Sequence, residues 1–316
     1  MMLPMVVGLA VFQINALMDT LLAFGLAPPA SIAHGGPQTF QLLGMTMTYP
    51  IANRGAATAL AFGQRLYQFP LGVFGIAIAT AIFPALAHAA PAPSESNQMP
   101  ISHGDHAFRA ILQQGLRLTM FIGLPAGIGL ILVRLPLIRL IFEYGEFDRA
   151  ASVRVATILV GYASAIWAYS MTHVLTRAFY AVKDAKTPLK ISVMMVVFNL
   201  ALNLALIWPF GAAGLAWSTA ISAAIQVVLL LCVSRRYVDR PMDVNVLSGW
   251  AKSAVLTGIM AAALMPVLFV WDPMQLDRLE LAGLLAVMVG LGAAVYVGGA
   301  ALWRCQELTW LRKTQA

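Results

Sequence analysis

The sequence predicts an all-α, polytopic membrane protein with about eight transmembrane helices. Three observations carry that prediction. Of 316 residues, 60% are hydrophobic and only 10% are charged, against about 25% charged in ordinary soluble domains. The mean hydropathy is +0.80. Apolar stretches of about 20 residues, enough to cross a hydrocarbon core of about 30 Å, recur along the chain. No alternating ten-residue strand pattern occurs, which argues against a β-barrel.

The eight spans fall near 4–26, 58–89, 112–133, 151–181, 188–208, 212–233, 250–271 and 280–302. Residues 1–236 read as a six-helix lobe, and 237–316 as a final helix pair with a short tail. The first span holds Gln13, Asn15 and Asp19 among apolar neighbours. Residues 28–57 read as a loop with prolines at 28, 29, 37 and 50. The second span, TALAFGQRLYQFPLGVFGIAIATAIFPALAHA, carries a single charge, Arg65. Residues 90–104, APAPSESNQMPISHG, are the most linker-like stretch of the chain. In the next segment Phe108, Ile111, Leu112 and Leu116 share a helical face, opposite Arg109, Gln113 and Arg117. That pattern reads as an interfacial helix entering the span, or as an ordinary helix start. The 151–181 run is long enough that it should tilt or project beyond the bilayer.

Charge and cysteine narrow the class further. Cys232 and Cys305 are too few for a disulfide framework or a metal set. A net charge of +7 could point to nucleic acid, but the basic residues lie mostly between spans. There they encode topology, so no nucleic-acid partner is expected. With the N-terminus inside, 13 Lys and Arg fall on inner segments. Six fall outside: Arg54, Arg134, Arg139, Arg149, Arg154 and Arg278. That bias predicts both termini in the cytoplasm. The start, MMLPMVV, lacks the basic region of a cleaved signal peptide.

Enzyme signatures are absent: no phosphate-binding Gly-rich loop with Lys-Ser/Thr, no HExxH and no GxSxG. The expectation is no catalytic residue and no enzyme activity. His34, His88, His103, His106 and His173 have no cysteine or carboxylate at ligand spacing. His173 and Arg177, four apart on one helical face, read as snorkelling or hydrogen-bonded side chains. A guanidinium in hydrocarbon costs roughly 2.5–3.5 kcal/mol, so Arg65 needs compensation. Its planar fork matches phosphate oxygens, which makes an anionic ligand one reading. A structural pair with another helix is the other.

Asp19, Asn199, Asn203 and Thr219 form the second candidate set. Asn199 and Asn203 stand at i and i+4, on one face of an apolar helix. At 1.5 Å per residue, Asp19 and Asn203 lie roughly 22 Å from the inner surface, Asn199 roughly 16 Å and Thr219 roughly 18 Å. Three helices thus offer oxygen ligands at one depth, as a hard cation such as Na⁺ requires. Two other readings compete. The Asn and Thr side chains can bond neighbouring helices, and Asp19 can pair with Arg65.

Four blocks are family-like: GQRLYQFPLGVFGIAIATAIFPALAHA, GLRLTMFIGLPAGIGLILVRLPLIRLIFEYGEFD, TRAFYAVKDAKTPLKI and FGAAGLAWSTAIS. In that order they resemble the MurJ (MviN) lipid II flippases, over nearly all of the chain from residue 4. The resemblance implies helices seven to fourteen of a fourteen-helix transporter of the multidrug/oligosaccharidyl-lipid/polysaccharide exporter fold. It implies export of lipid II, the undecaprenyl-pyrophosphate-linked peptidoglycan precursor, across the bacterial cytoplasmic membrane. A separately encoded N-terminal lobe would be a partner, as would membrane lipids. Arg65 takes the position of the family's cavity arginine on helix eight, which engages pyrophosphate. Asp19, Asn199, Asn203 and Thr219 fall at the family's sodium site, with Asn203 replacing a carboxylate. No cofactor is implied beyond Na⁺ as a coupling ion. The last two helices would line a groove for the polyprenyl tail. The 28–57 loop is longer than the family's usual connection there.

Overall fold

The computed structural model describes residues 2–28, 39–42, 45–51, 55–90 and 103–313. Most of the 90–104 linker and much of the 28–57 loop, with His34, lie outside the described residues. Helix α1 (Met2–Gly25) comes first. A small hairpin follows, β1 (Thr39–Leu42) pairing antiparallel with β2 (Met45–Thr48), Thr39 opposite Thr48. This corrects the reading of 28–57 as loop throughout. The alternating Met-Thr-Met-Thr of 45–48 is too short to stand out, and the two strands stabilise each other by pairing, with the Phe40 ring tilted against Tyr49.

Helices α2 (Gly55–Pro70) and α3 (Ala77–Ala89) form one span, joined by a π-helical segment over Leu71–Ile76. Pro70 explains the join. Its ring lacks an N–H and crowds the carbonyl four residues back, so the ladder re-registers through wider turns. Helix α4 (His103–Phe142) runs 40 residues without a break. Of the two readings of the segment before residue 112, the ordinary helix start agrees with this continuity. Phe108, Leu112 and Leu116 are 2%, 0% and 0% exposed, so the face read as interfacial packs into the core. Side-chain burial continues along one stripe, and the helix continues with it.

Helices α5 (Arg149–Ser164) and α6 (Ile166–Ala181) make the long span, which bends by 41° at Ala165. The length of the 151–181 run is thus divided between two helices at an angle, which the sequence reading did not foresee. A Gly/Ser pair marks the bend, with Ser164 Oγ donating to the Gly161 carbonyl at 2.7 Å. Gly127 of α4 abuts it so closely that a Cβ there would lie 2.5 Å from the Ala163 carbonyl oxygen. Helices α7 (Lys186–Phe210) and α8 (Ala212–Ser234) turn at Gly211, whose φ of 57° suits a residue without Cβ. Helices α9 (Val244–Val270) and α10 (Arg278–Leu302) form a hairpin, and the short α11 (Gln306–Lys313) ends the described chain.

Few charges remain in such a chain, and several serve as caps. Asp148, Asp184 and Asp243 accept from the backbone N–H groups of Ala151, Thr187 and Val246. Burial pushes the Asp184 carboxyl up. The N–H and hydroxyl of Thr187 and the Tyr237 hydroxyl outweigh it and hold the group below the usual carboxylate range. The VKDAKTP block thus ties the α6–α7 turn to the end of α8. Two apolar cores result. One lies among α1 to α8. The other joins Phe121, Leu132 and Val133 of α4 to α9 and α10, through residues such as Leu256, Met260, Leu284 and Met288. Six helices among the described residues are long and apolar enough to cross a membrane, and the bent α5–α6 pair makes a seventh. Helix α1, of 24 residues, has the length for an eighth.

Candidate functional site

Helices α1, α7 and α8 converge on a buried polar cluster. Asp19 is 1% exposed, Asn199 1% and Asn203 0%. The Asn203 amide nitrogen donates to Asp19 Oδ1 at 2.7 Å and to Asn199 Oδ1 at 3.1 Å. The Thr219 hydroxyl donates to Asp19 Oδ2 at 3.3 Å. All four residues of the predicted set therefore meet in one place. Two more belong to it that the sequence reading missed. The Ser218 hydroxyl donates to Asn203 Oδ1, and the Asn199 amide reaches Ser222 Oγ at 3.4 Å. Ser218 and Ser222 stand at i and i+4, so the pattern that marked the two asparagines was also present on α8.

The physical problem at this cluster is one carboxylate taken out of water. Asp19 forms no ion pair among the described residues, and its oxygens are met by neutral donors only. Arg65 is exposed on α2, with its guanidinium 5.8 Å from the Phe62 ring centre. The alternative pairing of Asp19 with Arg65 is thus not made. In the arrangement seen, the Asn203 N–H groups occupy the place a cation would take between Asp19 and Asn199. Rotating that amide would present Oδ1 instead. Two carboxylate oxygens, two amide oxygens and up to three hydroxyls then form an oxygen-only set suited to a hard cation. With one carboxylate the charge of a monovalent ion is balanced, whereas a divalent ion would leave an uncompensated buried charge. Among the described residues no group of three or more His, Cys, Asp or Glu stands together.

Beside the cluster lies an aromatic wall. Tyr67 of α2 stacks on Tyr162 at 5.1 Å and meets Tyr169 at 5.2 Å between ring centres. Gln64 donates to the Tyr162 hydroxyl at 3.2 Å. Tyr67 is buried and Arg65 is exposed, because two residues along a helix point to widely separated faces. His173 and Arg177 line a cavity of about 440 Å³. Arg177 donates to the Ile76 carbonyl at 3.0 Å, at the end of the π-helical segment.

Apolar helices long enough to span, packed around a buried polar cluster, define a polytopic membrane bundle. Its fold is also that of a multidrug-resistance MATE transporter in an outward-facing conformation (TM-score 0.55, 15% identity, covering 94% of this chain and 63% of that one). A solved lipid II flippase MurJ in an inward closed conformation gives a TM-score of 0.63, at 21% identity over 79% of this chain and 48% of that one. The family model described as "Lipid II flippase MurJ" matches residues 1–276, and the chain belongs to the MurJ family. It is 32% identical over 230 residues to a probable lipid II flippase MurJ of Vibrio cholerae, covering 73% of this chain and 37% of that protein. A probable lipid II flippase MurJ of Rhizobium meliloti is 31% identical over 290 residues, covering 88% and 51% respectively. The chain thus spans about half the length, or less, of these relatives.

Proposed function

We propose that the chain serves as one lobe of a lipid II flippase. It would move the undecaprenyl-pyrophosphate-linked peptidoglycan precursor across the bacterial cytoplasmic membrane by alternating access. The observation that carries this reading is the family match over residues 1–276. In this reading a second lobe completes the transport path, both termini lie in the cytoplasm, and no covalent chemistry is involved. Arg65, exposed on α2 and free of ion pairs among the described residues, engages the pyrophosphate through its planar fork. The Asp19 cluster binds Na⁺, whose gradient drives the cycle, and α9 and α10 hold the polyprenyl tail.

The test is complementation of flippase-depleted cells by this chain expressed with the N-terminal half of a family member. Arg65→Ala should abolish growth while the protein stays at its normal level in the membrane. Arg65→Lys should restore growth only in part, since a point charge makes no bidentate contact. Full growth with the alanine variant would overturn the role of Arg65. Failure of the unaltered chain, with both halves present and inserted, would overturn the flippase reading. Restored drug efflux in its place would favour a drug exporter.

A further inference from the structure

The cavity beside the cluster is lined chiefly by stripes of α6, α7 and α8, with Asn15 of α1, Leu71 and Phe83 completing it and Leu189, Met195 and Val196 giving α7 an apolar wall. On α6 it takes Tyr169, Thr172, His173, Thr176, Arg177 and Tyr180, spaced at helical intervals of three, one, three, one and three. Such a stripe covers about 16 Å of helix length at 1.5 Å per residue. On α8 the stripe is Thr219, Ser222, Ala223 and Gln226, and on α7 it includes Pro188 and Ser192. The two ends differ in kind. At one end Thr219 and Ser222 are the same side chains that bond Asp19 and Asn199. At the other end Tyr180 and Pro188 flank the turn between α6 and α7, which carries Lys183 and Lys186.

The polar content of these stripes is what needs explaining. Side chains facing a sealed apolar interior, or lipid, would be apolar. Here hydroxyls and amides recur along the full depth, with the Gln226 amide donating to Ser192 Oγ at 3.1 Å as a rung between α8 and α7. The Tyr169 hydroxyl is buried and has no hydrogen-bond partner among the described residues. Arg177 is drawn by its bond to the Ile76 carbonyl toward the α3 wall. We infer that this cavity is the hydrated route by which a monovalent cation reaches and leaves the Asp19 cluster, opening on the side of the membrane that carries the α6–α7 turn. The inference rests on the cation reading of that cluster.

The test uses the full chain in sealed vesicles of either orientation, with exposed Cys232 replaced by serine and buried Cys305 kept as an inert internal control. Single cysteines are placed by Thr176→Cys and Gln226→Cys, and by Val197→Cys, which is 65% exposed on α7 and does not line the cavity. Ala223→Cys, a lining residue that makes no side-chain hydrogen bond, stands in if Gln226→Cys disturbs folding. The probe is a membrane-impermeant, positively charged methanethiosulfonate. At positions 176 and 226 it should react at least about tenfold faster from the α6–α7 side than from the other side, since thiol reactivity follows access. Na⁺, but not K⁺ at equal ionic strength, should slow the reaction at position 226 by charge repulsion from the occupied cluster. A neutral reagent should not be slowed. If position 226 reacts no faster than Cys305, or its rate ignores Na⁺, while Na⁺ still raises the melting temperature, the route is overturned and the cation site stands. If Na⁺ raises the melting temperature no more than K⁺ does, the cation reading fails, and the route falls with it.

Discussion

Among the described residues, the Asp19 cluster and helix α4 bury charge in opposite ways. At the Asp19 cluster one carboxylate is dressed by amides and hydroxyls. On α4, charge meets charge. Arg117 holds Glu307 of α11 at 2.7 Å, donates to Gln306 at 3.1 Å and stacks 4.9 Å from the Trp310 ring. Further along α4, Arg139 binds Glu143 at 2.8 Å and also donates to the Pro273 carbonyl in the α9–α10 turn. The two arginines are 22 residues apart, or about 33 Å along a helix, which is close to the thickness of a hydrocarbon core. Helix α4 is thereby fastened to α11 at one point and to the α9–α10 turn at another.

The difference separates a brace from a site. A guanidinium–carboxylate pair has one good geometry and is costly to open, because each charge left alone in a dry setting must be resolvated. That makes it useful where helices must stay together. Asn, Ser and Thr side chains can each donate or accept, so a shell built from them can reorganise around a cation without leaving a charge bare. The partners differ too: the paired charges join α4 to later segments, Arg117 to Glu307 of α11, whereas Asp19, among the described residues, meets only amides and hydroxyls.

The largest expected effect comes from breaking the brace. Glu307 is 2% exposed, and a Cβ at Gly249 would lie 2.9 Å from both its Oε1 and Arg117 Nε, so nothing can move in to replace it cheaply. Glu307→Ala should cost about 3–5 kcal/mol, the range for removing one partner of a buried pair. Thermal unfolding in detergent, followed by the burial of Trp250 against Leu116, reads it directly. An effect below about 1 kcal/mol would place the pair among surface salt bridges and remove the contrast.

The site should respond to ions, and the brace should not. If Na⁺ binds only the folded lobe, it stabilises by about 1.4 kcal/mol at ten times its dissociation constant, while K⁺ at equal ionic strength does less. Asp19→Asn should erase the Na⁺–K⁺ difference, because it deletes the one formal charge of the cluster. Asn203→Asp should enlarge it by adding a second carboxylate. Glu307→Ala should lower stability equally in both salts. Equal melting temperatures in Na⁺ and K⁺ for the unaltered chain would count against a cation site.

Much of this was legible in the sequence because membrane physics leaves so few options. Apolar runs near 20 residues had to be helices, and the i,i+4 spacing of Asn199 and Asn203 fixed a common face. The features that were not legible arise from contacts between distant segments. The bend at Ala165 has no proline, and it lies where Gly127 of α4, having no Cβ, leaves room for the Ala163 carbonyl. The π-helical turn after Pro70 is one of several ways to absorb a proline. The continuity of α4 depends on Phe108 and Leu112 finding the core, which an amphipathic pattern alone does not distinguish from a membrane surface. Ser218 and Ser222 escaped notice because serine commonly bonds back to its own helix, as Ser218 also does to the Leu215 carbonyl.

The smallest effect concerns the outer end of the brace and its pH dependence. Hydrogen bonds from Arg139 hold the Glu143 carboxyl below its usual value of 4.5, with Ser152 and the charge of Arg149 helping. A carboxyl lowered on folding contributes stability that is present in full above its unfolded value. That contribution fades as pH falls through the lowered, folded one. The unaltered chain should therefore lose stability as pH is lowered below about 4.5, with Glu143 supplying part of the slope. Glu143→Gln keeps the shape and one acceptor, and removes that part of the slope. At neutral pH it should cost about 0.5–1 kcal/mol, since the side chain keeps contact with solvent and the Arg139 bond to the Pro273 carbonyl survives. The measurement is melting temperature against pH for the two proteins, which should converge at the acid end. Parallel curves would mean that Glu143 does not titrate differently in the folded chain, and would leave the Pro273 contact as the outer fastening of α9 and α10.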